Sequence, residues 1–374
     1  MALVVKPYAE EHVQAVKDFN RRILAFGESY DSILFAEECV PRWLPPGEQC
    51  DTYNEYFLAL EDETVRGAYA LKHQPFCFPD GRLRSVGYCH HIVSEGLFSK
   101  KYVSVGPLLL KDALRRSSLL FALGMGGNER ALPRMLEALG WSQFSIPFYF
   151  RVLQPRTFFR NMETVRSTHT RRVLADLASA TGIGWLGVRT AQVLARRTAP
   201  RVARYALEEV RAFSDWCDEI WERSRSSYAW IAVRDARALN AFYPESDRHF
   251  TRLRVTSGGR VVGWAVIAER RKNPQFGSMR VGSILDALAR PEDAPAVMHA
   301  ATRALEASGV DLIVSNQSHH DWCRALEASG FLKAPSTFIF AASRELTRSL
   351  APFEHNKPLI YLNRSDGDGL PRNF

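Results

Sequence analysis

The sequence has few cysteines, and none of them stands in the spacing of a metal site. The six cysteines form no C-x-x-C pair and no His/Cys ligand pattern; they are Cys39, Cys50, Cys77, Cys89, Cys217 and Cys323. This scatter argues against a structural zinc and against a disulfide-bonded scaffold, because both need closely spaced or paired thiols. We therefore expect reduced thiols in a cytoplasmic protein, and no metal.

Targeting segments and long apolar runs are also lacking. The N-terminus, MALVVKPYAEEHV, has neither the pattern of a signal peptide nor that of a transit peptide. The length of 374 residues allows two domains of ordinary size, and a content of 46% hydrophobic and 24% charged residues is typical of a globular protein. These observations predict a two-domain cytoplasmic protein.

One segment lacks lysine and has almost no acids. Between Arg156 and Arg204 there are ten arginines and only two acids, Glu163 and Asp176, a surplus of eight positive charges that equals the net charge of the whole chain. The segment is amphipathic, and its uncharged run of 12 residues, Leu177–Val188, is too short to cross a bilayer. We interpret residues 156–206 as a helical linker with a solvated basic face.

The arginine surplus leaves three functional alternatives for this linker. It could lie on an anionic membrane surface, which would place the protein at the periphery of the inner membrane. It could receive an acidic partner such as an acyl carrier protein. It could contact tRNA, which is the least favoured of the three because the arginines are not interleaved with aromatic residues as a stacking platform requires.

What the sequence does contain is an internal repeat. Arg134–Phe150 reads RMLEALGWSQFSIPFYF and Arg324–Phe340 reads RALEASGFLKAPSTFIF, with seven identical positions in an ungapped comparison. Each copy is typical of a helix that ends at a glycine, followed by an aromatic residue and a strand. A second pair, VRGAYAL at Val65–Leu71 and VVGWAVI at Val261–Ile267, lies in the same order. The chain is therefore predicted to hold two copies of one domain, residues 1–155 and 207–374.

Both copies are predicted to follow the order α–β–β–β–α–β–α–β. In the N-terminal copy, the elements after the first hairpin are a strand, a helix, a short strand, a second helix and a long strand: Arg84–Val93, Pro107–Arg116, Leu119–Gly124, Asn128–Leu139 and Gln143–Leu153. The C-terminal copy ends with a strand at Pro335–Ala341, and Lys357–Leu362 is a candidate for one more. Hairpins followed by a β–α–β–α–β run predict a mixed α+β (α/β) fold, with mostly antiparallel sheets flanked by helices.

This order and its motifs resemble the GNAT superfamily, the Gcn5-related N-acyltransferases, in a tandem form. In that family a central strand leads into a loop of pattern Q/R-x-x-G-x-G/A and then a helix, and backbone N–H groups there hold the pyrophosphate of acyl-CoA. Lys101-Tyr-Val-Ser104-Val-Gly106 stands at this place, with lysine for Gln/Arg and serine for the first glycine. The resemblance implies acetyl-CoA or a longer acyl-CoA as co-substrate, bound by Val93, Lys101, Ser104, Val105, Gly106 and Asn128.

The C-terminal copy departs from the family pattern at the same place. Its loop, Ala289–Ala296, has no glycine and carries two acids, Glu292 and Asp293, where a diphosphate would bind. The Gly-aromatic end of the repeat helix matches in both copies, but leucine (Leu136 and Leu326) replaces the tyrosine that protonates the leaving thiolate in many members. The resemblance thus implies that the N-terminal copy holds the donor and that the usual general acid is missing.

Acylation of an amine needs a base with a pKa near neutrality, and the family often takes this base from the central strand or its neighbour. The candidates in the N-terminal copy are Glu95 and the adjacent His90 and His91, of which one should point to each face of the strand. Further candidates are His73, Cys89 as a nucleophile, Glu269, and Asp286, for which a half-exposed edge position is the alternative.

Two further motifs in the C-terminal copy are given structural interpretations. His319-His320 is interpreted as a helix start and not as a metal site, because adjacent residues do not share one ligand face. Asp366-Gly-Asp368 is interpreted as a turn in the tail.

The predicted function is transfer of an acyl group from acyl-CoA, or from an acyl carrier protein, to an amine of a small molecule, an amino sugar or a lipid precursor. Two alternatives stay open. One is a Fem-like aminoacyltransferase that uses aminoacyl-tRNA, since the tandem form also resembles the Fem-type enzymes. The other is a GNAT-fold binding module without catalysis, which the missing tyrosines leave possible.

Overall fold

Two mixed β-sheets organise the part of the chain that the structure describes. The structure is a computed structural model, and it describes residues 3–26, 40–41, 44–45, 51–161, 190, 204–273 and 277–367. Most of the predicted linker, residues 156–206, lies outside these ranges. In the described residues, no helix has the length and apolar character needed to span a bilayer.

The N-terminal copy supplies seven described strands and four described helices. The strands are β1 (Leu3–Pro7), β2 (Tyr53–Glu61), β3 (Thr64–Cys77), β4 (Leu83–Ser94), β5 (Leu120–Leu123), β6 (Ser142–Ser145) and β7 (Phe148–Val152). The helices are α1 (Val13–Ala25), α2 (Val105–Arg116), α3 (Ala131–Ala138) and α4 (Pro155–Asn161). Two single 3₁₀ turns, Glu95–Leu97 and Lys100–Tyr102, connect β4 to α2.

The C-terminal copy repeats this order within the described residues, with one more strand and one more helix before its hairpin, and each copy begins with a strand that the predicted order lacks. Its strands are β8 (Tyr205–Val210), β9 (Ile231–Ala232), β10 (Phe250–Ser257), β11 (Arg260–Asn273), β12 (Gly277–Ala289), β13 (Leu312–Asn316), β14 (Leu332–Ala334) and β15 (Ile339–Ala342). Its helices are α5 (Asp215–Ser224), α6 (Ala236–Phe242), α7 (Ala294–Ala307), α8 (His320–Ala328), α9 (Arg344–Ser349) and α10 (Phe353–Asn356).

The two copies exchange their last strands. The first sheet runs β1-β2-β3-β4-β5-β15-β6, with β9 paired to β3, and the second runs β14-β7-β13-β12-β11-β10-β8. Thus β7 of the N-terminal copy lies between β13 and β14, and β15 of the C-terminal copy lies between β5 and β6. Only β4–β5 and β12–β13 pair in parallel, so both sheets are mostly antiparallel, as predicted. The expected boundaries near residues 155 and 207 stay a prediction, and each described sheet depends on a strand from the other copy.

The repeat extends to close packing that the sequence comparison only suggested. Gly67 and Gly263 stand at matching places on β3 and β11, each next to an irregularity in the pairing with the preceding strand. A Cβ on Gly67 would lie 2.7 Å from the Val93 carbonyl oxygen, and one on Gly263 would lie 2.6 Å from that of Leu288. Because only glycine fits this approach, the duplicated domain keeps the same contact between strands in both copies.

Helices cover both faces of the first sheet. On one face, α2 and α3 pack against Tyr69, Leu71 and Ala122. On the other face, α1 packs at one end through Phe19 and the C-terminal copy packs at the other. There the Trp230 ring stacks on Phe76 with 4.2 Å between the ring centroids. The core is therefore shared between the copies on the face that carries α1.

Three sequence predictions about elements were wrong. Gln143–Leu153 is not one strand, because the chain breaks around Pro147 into β6 and β7, which join different sheets. Proline cannot continue a ladder of hydrogen bonds in a central strand. Lys357–Leu362 forms a 3₁₀ turn at Lys357–Leu359 with only an isolated bridge at Ile360. Helix α2 begins at Val105 and not at Pro107, so Gly106 is its second residue.

Candidate functional site

The parallel strands β4 and β5 separate soon after they pair. Their register includes Gly87 opposite Leu120 and Tyr88 opposite Phe121, and no later residue of β4 pairs with β5. Beyond this point β4 has one extra residue against β3, between His90 and Val93. The backbone of His91 there has a φ of 51°, in the left-handed region that a histidine seldom adopts. The parallel pairing therefore ends at Tyr88 and Phe121, and the bulge in β4 lies just beyond that point.

The first turn of α2 comes after β4 in the chain and is open at Gly106. A Cβ built on Gly106 would meet no atom within 4 Å, and its φ is not in the left-handed region, so the fold itself does not require glycine there. The first backbone hydrogen bond of the turn runs from the Leu108 N–H to the Ser104 carbonyl oxygen, at 3.1 Å. The N–H groups of Val105 and Gly106 precede it and carry the positive end of the helix dipole. This end of α2 has N–H groups and a dipole that can bind an anion.

Lys101 and Ser104 are exposed beside that turn, and a network of charges underlies them. The Tyr102 hydroxyl donates to Glu61 at 2.8 Å, and Lys101 Nζ lies 2.9 Å from the same hydroxyl. The hydrogen bond from Tyr102 lowers the pKa of Glu61, so this acid is ionised beneath the turn. Arg66 bridges Glu61 to Glu95 and offsets the two negative charges, with N–O distances of 2.9 and 3.1 Å.

Glu95 belongs to this network, so its carboxylate is already engaged in ion pairs and is not available as a base. Its carboxylate is 8% exposed and pairs with Arg66 at 3.1 Å and with Arg22 at 3.5 Å. Val93, predicted to contact the donor, is paired with Ala68 on β3, next to the bulge. Asn128 is exposed and lies three residues before α3, not within the helix. The predicted donor residues thus surround the start of α2, while Asn128 belongs to the turn before the next helix.

His90 lies on the face of the sheet that carries α1 and the C-terminal copy. Its Nε2 is 3.2 Å from Oδ1 of Asn54, which accepts the Nε2 proton, and its Nδ1 is buried without a hydrogen-bond partner in the described chain. Burial, aided by the nearby His91 and Lys72, lowers the pKa of His90 well below its ordinary value. The imidazole is therefore neutral at pH 7 and keeps a free electron pair on Nδ1.

Asn54 and His90 are two strands apart, and Ala70 explains how they meet. On β3, Ala70 is directly opposite both Tyr56 of β2 and His90 of β4, and Lys72 is opposite both Asn54 and Tyr88. The small side chain of Ala70 leaves room for the imidazole to cross toward Asn54.

Sequence reasoning missed the polar residues beside His90. Lys72 is 1% exposed, and Asn54 and Gln74 are also buried, all on this face of three adjacent strands. The signal was present in the sequence, because Lys72 and Gln74 continue the alternation of Ala68 and Ala70 into a buried strand with polar side chains.

The other predicted catalytic candidates are buried, paired with neighbouring side chains, or exposed at the bulge. Burial raises the pKa of the Cys89 thiol, which disfavours the thiolate that a nucleophile requires. His73 Nε2 lies 2.9 Å from Glu55, and its ring stacks on Tyr53. Glu269 accepts a hydrogen bond from Arg280 at 3.0 Å. His91 is exposed at the bulge, beside the His90 ring.

Asp286 is the strand counterpart of His90, and the alternative of a half-exposed edge position was wrong. It pairs with Val266 as His90 pairs with Ala70, and it is 3% exposed. Arg234 donates to it at 2.9 Å and also donates to Asp366, at 2.9 and 2.8 Å. Asp366 ends a 3₁₀ turn, Arg364–Asp366, as the predicted turn requires, but its side chain is buried; Asp368 lies outside the described residues. In the C-terminal copy a buried ion-pair cluster occupies the place of the base.

The start of α7 also differs from that of α2. Its preceding turn carries Glu292, which pairs with Arg290 at 2.8 Å, and Asp293, whose pKa is raised by burial. Ser315 of β13 donates to the Ile284 carbonyl oxygen at 3.2 Å and so bridges β13 to β12 where the strands would part. These features leave the N-terminal copy as the better fit for a donor.

The predicted helix start at His319-His320 is confirmed. His319 precedes α8, and its side chain accepts from the Asp321 N–H. Ligand atoms of His319, His320 and Asp321 lie within 4.8 Å of one another. His320 Nδ1 already contacts the Pro358 carbonyl oxygen at 3.1 Å.

Comparisons with known proteins identify the fold. No protein-family model and no curated protein matches the sequence. Among solved structures, Saccharomyces cerevisiae N-myristoyltransferase with bound myristoyl-CoA and inhibitors is similar over 92% of this chain and 80% of its own, with a TM-score of 0.51 and 11% identity. A conserved protein from Enterococcus faecalis V583, described as a probable N-acyltransferase, is similar over 92% and 73%, with a TM-score of 0.50 and 12% identity.

A third similar structure carries the family name. A GCN5-related N-acetyltransferase from Anabaena variabilis is similar over 91% of this chain and 72% of its own, with a TM-score of 0.50 and 10% identity. At these identities the similarity establishes the fold. The chain has the GNAT fold in two copies, and the resemblance inferred from its repeat is confirmed at that level.

Proposed function

We propose that this protein transfers an acyl group from acyl-CoA to an amine, with the donor bound by the N-terminal copy. The observation that carries the proposal is the end of the parallel β4–β5 pairing at Tyr88 and Phe121, together with the unobstructed first turn of α2 that follows β4 in the chain. A thioester placed between the unpaired parts of these strands would have its diphosphate at the N–H groups of Val105 and Gly106. The similar structures include an N-myristoyltransferase with bound myristoyl-CoA, which supports a CoA thioester as the donor.

His90 is the base in this proposal. It follows the last pair of β4 with β5, and its Nδ1 has no partner in the described chain. Its lowered pKa makes it a weaker base than one with a pKa near neutrality, so it takes the proton only once the new N–C bond has made the nitrogen acidic. The amine attacks the thioester carbon, the N–C bond forms, and Nδ1 takes the proton that the nitrogen loses. The C–S bond then breaks, and the thiolate leaves and takes a proton from solvent, because Leu136 replaces the usual tyrosine.

Glu95 has a positioning role in this scheme. Its ion pairs with Arg66 and Arg22 fix the turn between β4 and α2. Lys101 adds a positive charge near the diphosphate. An acyl carrier protein as donor, and a membrane surface or tRNA at residues 156–206, stay predictions, since most of that segment lies outside the described residues.

Donor binding is tested by calorimetry with acetyl-CoA and myristoyl-CoA on the full chain. Gly106→Asp should abolish binding, because its side chain adds bulk and a negative charge at the diphosphate, while Gly106→Asn adds the bulk alone and should weaken binding less. Glu292→Gln, at the corresponding turn of the C-terminal copy, is the matched control and should leave affinity unchanged. If Gly106→Asp binds both thioesters normally, or if Glu292→Gln alters affinity, the donor site is misplaced.

The base is tested by single-turnover thiol release. His90→Gln should slow acyl transfer by about 10²- to 10⁴-fold at unchanged donor affinity. His91→Gln, one residue along the strand, is the control and should retain most of the rate. An equal loss in both variants, or none in His90→Gln, would show that another residue takes the proton.

A further inference from the structure

Four polar side chains, three of them buried and the fourth, His90, half-buried, form a band across the face of the first sheet. Asn54 on β2, Lys72 on β3 and His90 on β4 are cross-strand or diagonal neighbours, and Gln74 is two residues along β3 from Lys72. Asn54 Nδ2, Gln74 Oε1 and His90 Nδ1 are buried without a hydrogen-bond partner in the described chain. Buried polar atoms are nearly always paired, so a cluster of such atoms indicates a ligand.

Lys72 is the most unusual member of this polar band. Its ammonium lies 5.3 Å from the Tyr88 ring centroid and 5.4 Å from that of Phe242 on α6, but no carboxylate of the described chain pairs with it within 4.0 Å. Burial lowers its pKa to about 8, so it is still mostly protonated at pH 7. A buried charge without an ion-pair partner is costly and marks a functional position.

The unused groups divide by chemistry and by position. Lys72 Nζ and Asn54 Nδ2 are hydrogen-bond donors on directly opposed residues, which suits the two oxygens of one carboxylate. His90 Nδ1 is an acceptor, which suits an amine, whereas Gln74 lies beyond Lys72 along β3 and is too far from His90 to share that amine. The band can therefore bind a molecule that carries both a carboxylate and an amine.

The charges around the band disfavour a ligand with two negative charges. Arg234, Asp286 and Asp366 act on Lys72 through space from the C-terminal copy, and together with Lys72 they sum to zero. A carboxylate adds one negative charge next to the lysine, whereas a phosphate dianion would add two near two aspartates. A monoanion is the better match.

We propose that the acceptor is an amine that also carries a carboxylate, as an amino acid does, held with its carboxylate on Lys72 and Asn54 and its amine facing His90. This inference rests on the proposed acyl transfer, and it specifies the acceptor class. Lys72 binds substrate and takes no proton, and the C-terminal copy covers the site through Phe242.

The full-length protein is assayed with two matched sets of acceptors. One set is the twenty protein amino acids, singly and pooled, and the other is their carboxamides. Thiol release from the acyl-CoA that binds is measured, together with the thermal shift caused by each acceptor alone. Amino acids should be acylated and the corresponding amides should be poor acceptors. Lys72→Met should raise the KM for the amino acid by about 10- to 100-fold at unchanged donor affinity, and Lys72→Arg should retain part of the affinity.

The outcomes separate this inference from the proposed function. If amides and amino acids are acylated equally, or if Lys72→Met leaves the KM unchanged, the carboxylate site is wrong while acyl transfer stands. If no thioester binds and no thiol is released, acyl transfer is wrong, and the thermal shift by amino acids in wild type against Lys72→Met still decides the inference. If amino acids cause no thermal shift in the wild-type protein, the inference is overturned. The melting curve of each variant without ligand confirms that it is folded.

Discussion

Replacing Lys72 with methionine should stabilise the folded protein. Lys72 is 1% exposed, and burial lowers its pKa from 10.5 to about 8. Each pH unit corresponds to 1.36 kcal/mol, so the buried charge costs roughly 3 kcal/mol at pH 7 relative to the unfolded chain. Methionine keeps an unbranched apolar stem of similar length and removes the charge. We expect the free energy of unfolding to rise by up to about 3 kcal/mol at pH 7.

The pH dependence of this gain follows from the direction of the shift. The unfolded chain holds the Lys72 proton up to about pH 10.5, whereas the folded chain releases it near pH 8, so the unfolded state binds more protons between these values. The contribution of Lys72 to stability therefore rises with pH across this window. The advantage of Lys72→Met should be complete below pH 8 and should shrink toward zero near pH 10.5.

Urea unfolding at pH 7, 8, 9 and 10 measures the difference between Lys72→Met and wild type at each pH, which cancels the other titrating groups. Lys111→Met, at an exposed position on α2, is the control and should change stability by less than about 0.5 kcal/mol at every pH. A Lys72→Met protein that is less stable than wild type at pH 7 would refute the reasoning. So would a gain of equal size at pH 7 and pH 10. Together with the expected loss of acceptor affinity, a gain would show that this lysine is kept for binding and not for stability.

Three further predictions concern the fold. Gly67→Ala should cost about 1–3 kcal/mol, because its Cβ would overlap a carbonyl oxygen, while Gly106→Ala should cost far less; equal losses in thermal unfolding would contradict the packing. Asp366→Asn should cost about 3–5 kcal/mol, because Arg234 loses one of its two buried carboxylates; a loss below about 1 kcal/mol in urea unfolding would show that this ion pair is unimportant. Residues 1–155 expressed alone should not fold cooperatively, because β15 is missing from their sheet and β7 has no partner strands; co-expression with the rest of the chain should restore folding, and a cooperative calorimetric transition of 1–155 alone would refute this dependence.

The band beside His90 shows why a site is harder to predict than an element. Asn54, Lys72 and His90 lie on three different strands, and the distance from Asn54 to His90 depends on register and on the small Ala70 between them. Likewise Asp286 reads as an isolated acid in an apolar strand, since its hydrogen-bond donors Arg234 and Asn363 lie 52 and 77 positions away. No local pattern contains such contacts.

The sequence by itself determined the duplication, the order of helices and strands and the position of the turn before α2. These features depend on periodicity, on helix-ending glycines and on spacing, all of which are local. The tertiary structure alone decided which sheet receives each final strand. The repeated segments around Phe150 and Phe340 have the same alternation, and a strand's own residues fix which of its faces is apolar but not which backbone supplies its hydrogen bonds. The exchange of β7 and β15, and the shared face on which His90 and Lys72 lie, therefore follow from how the two copies pack together.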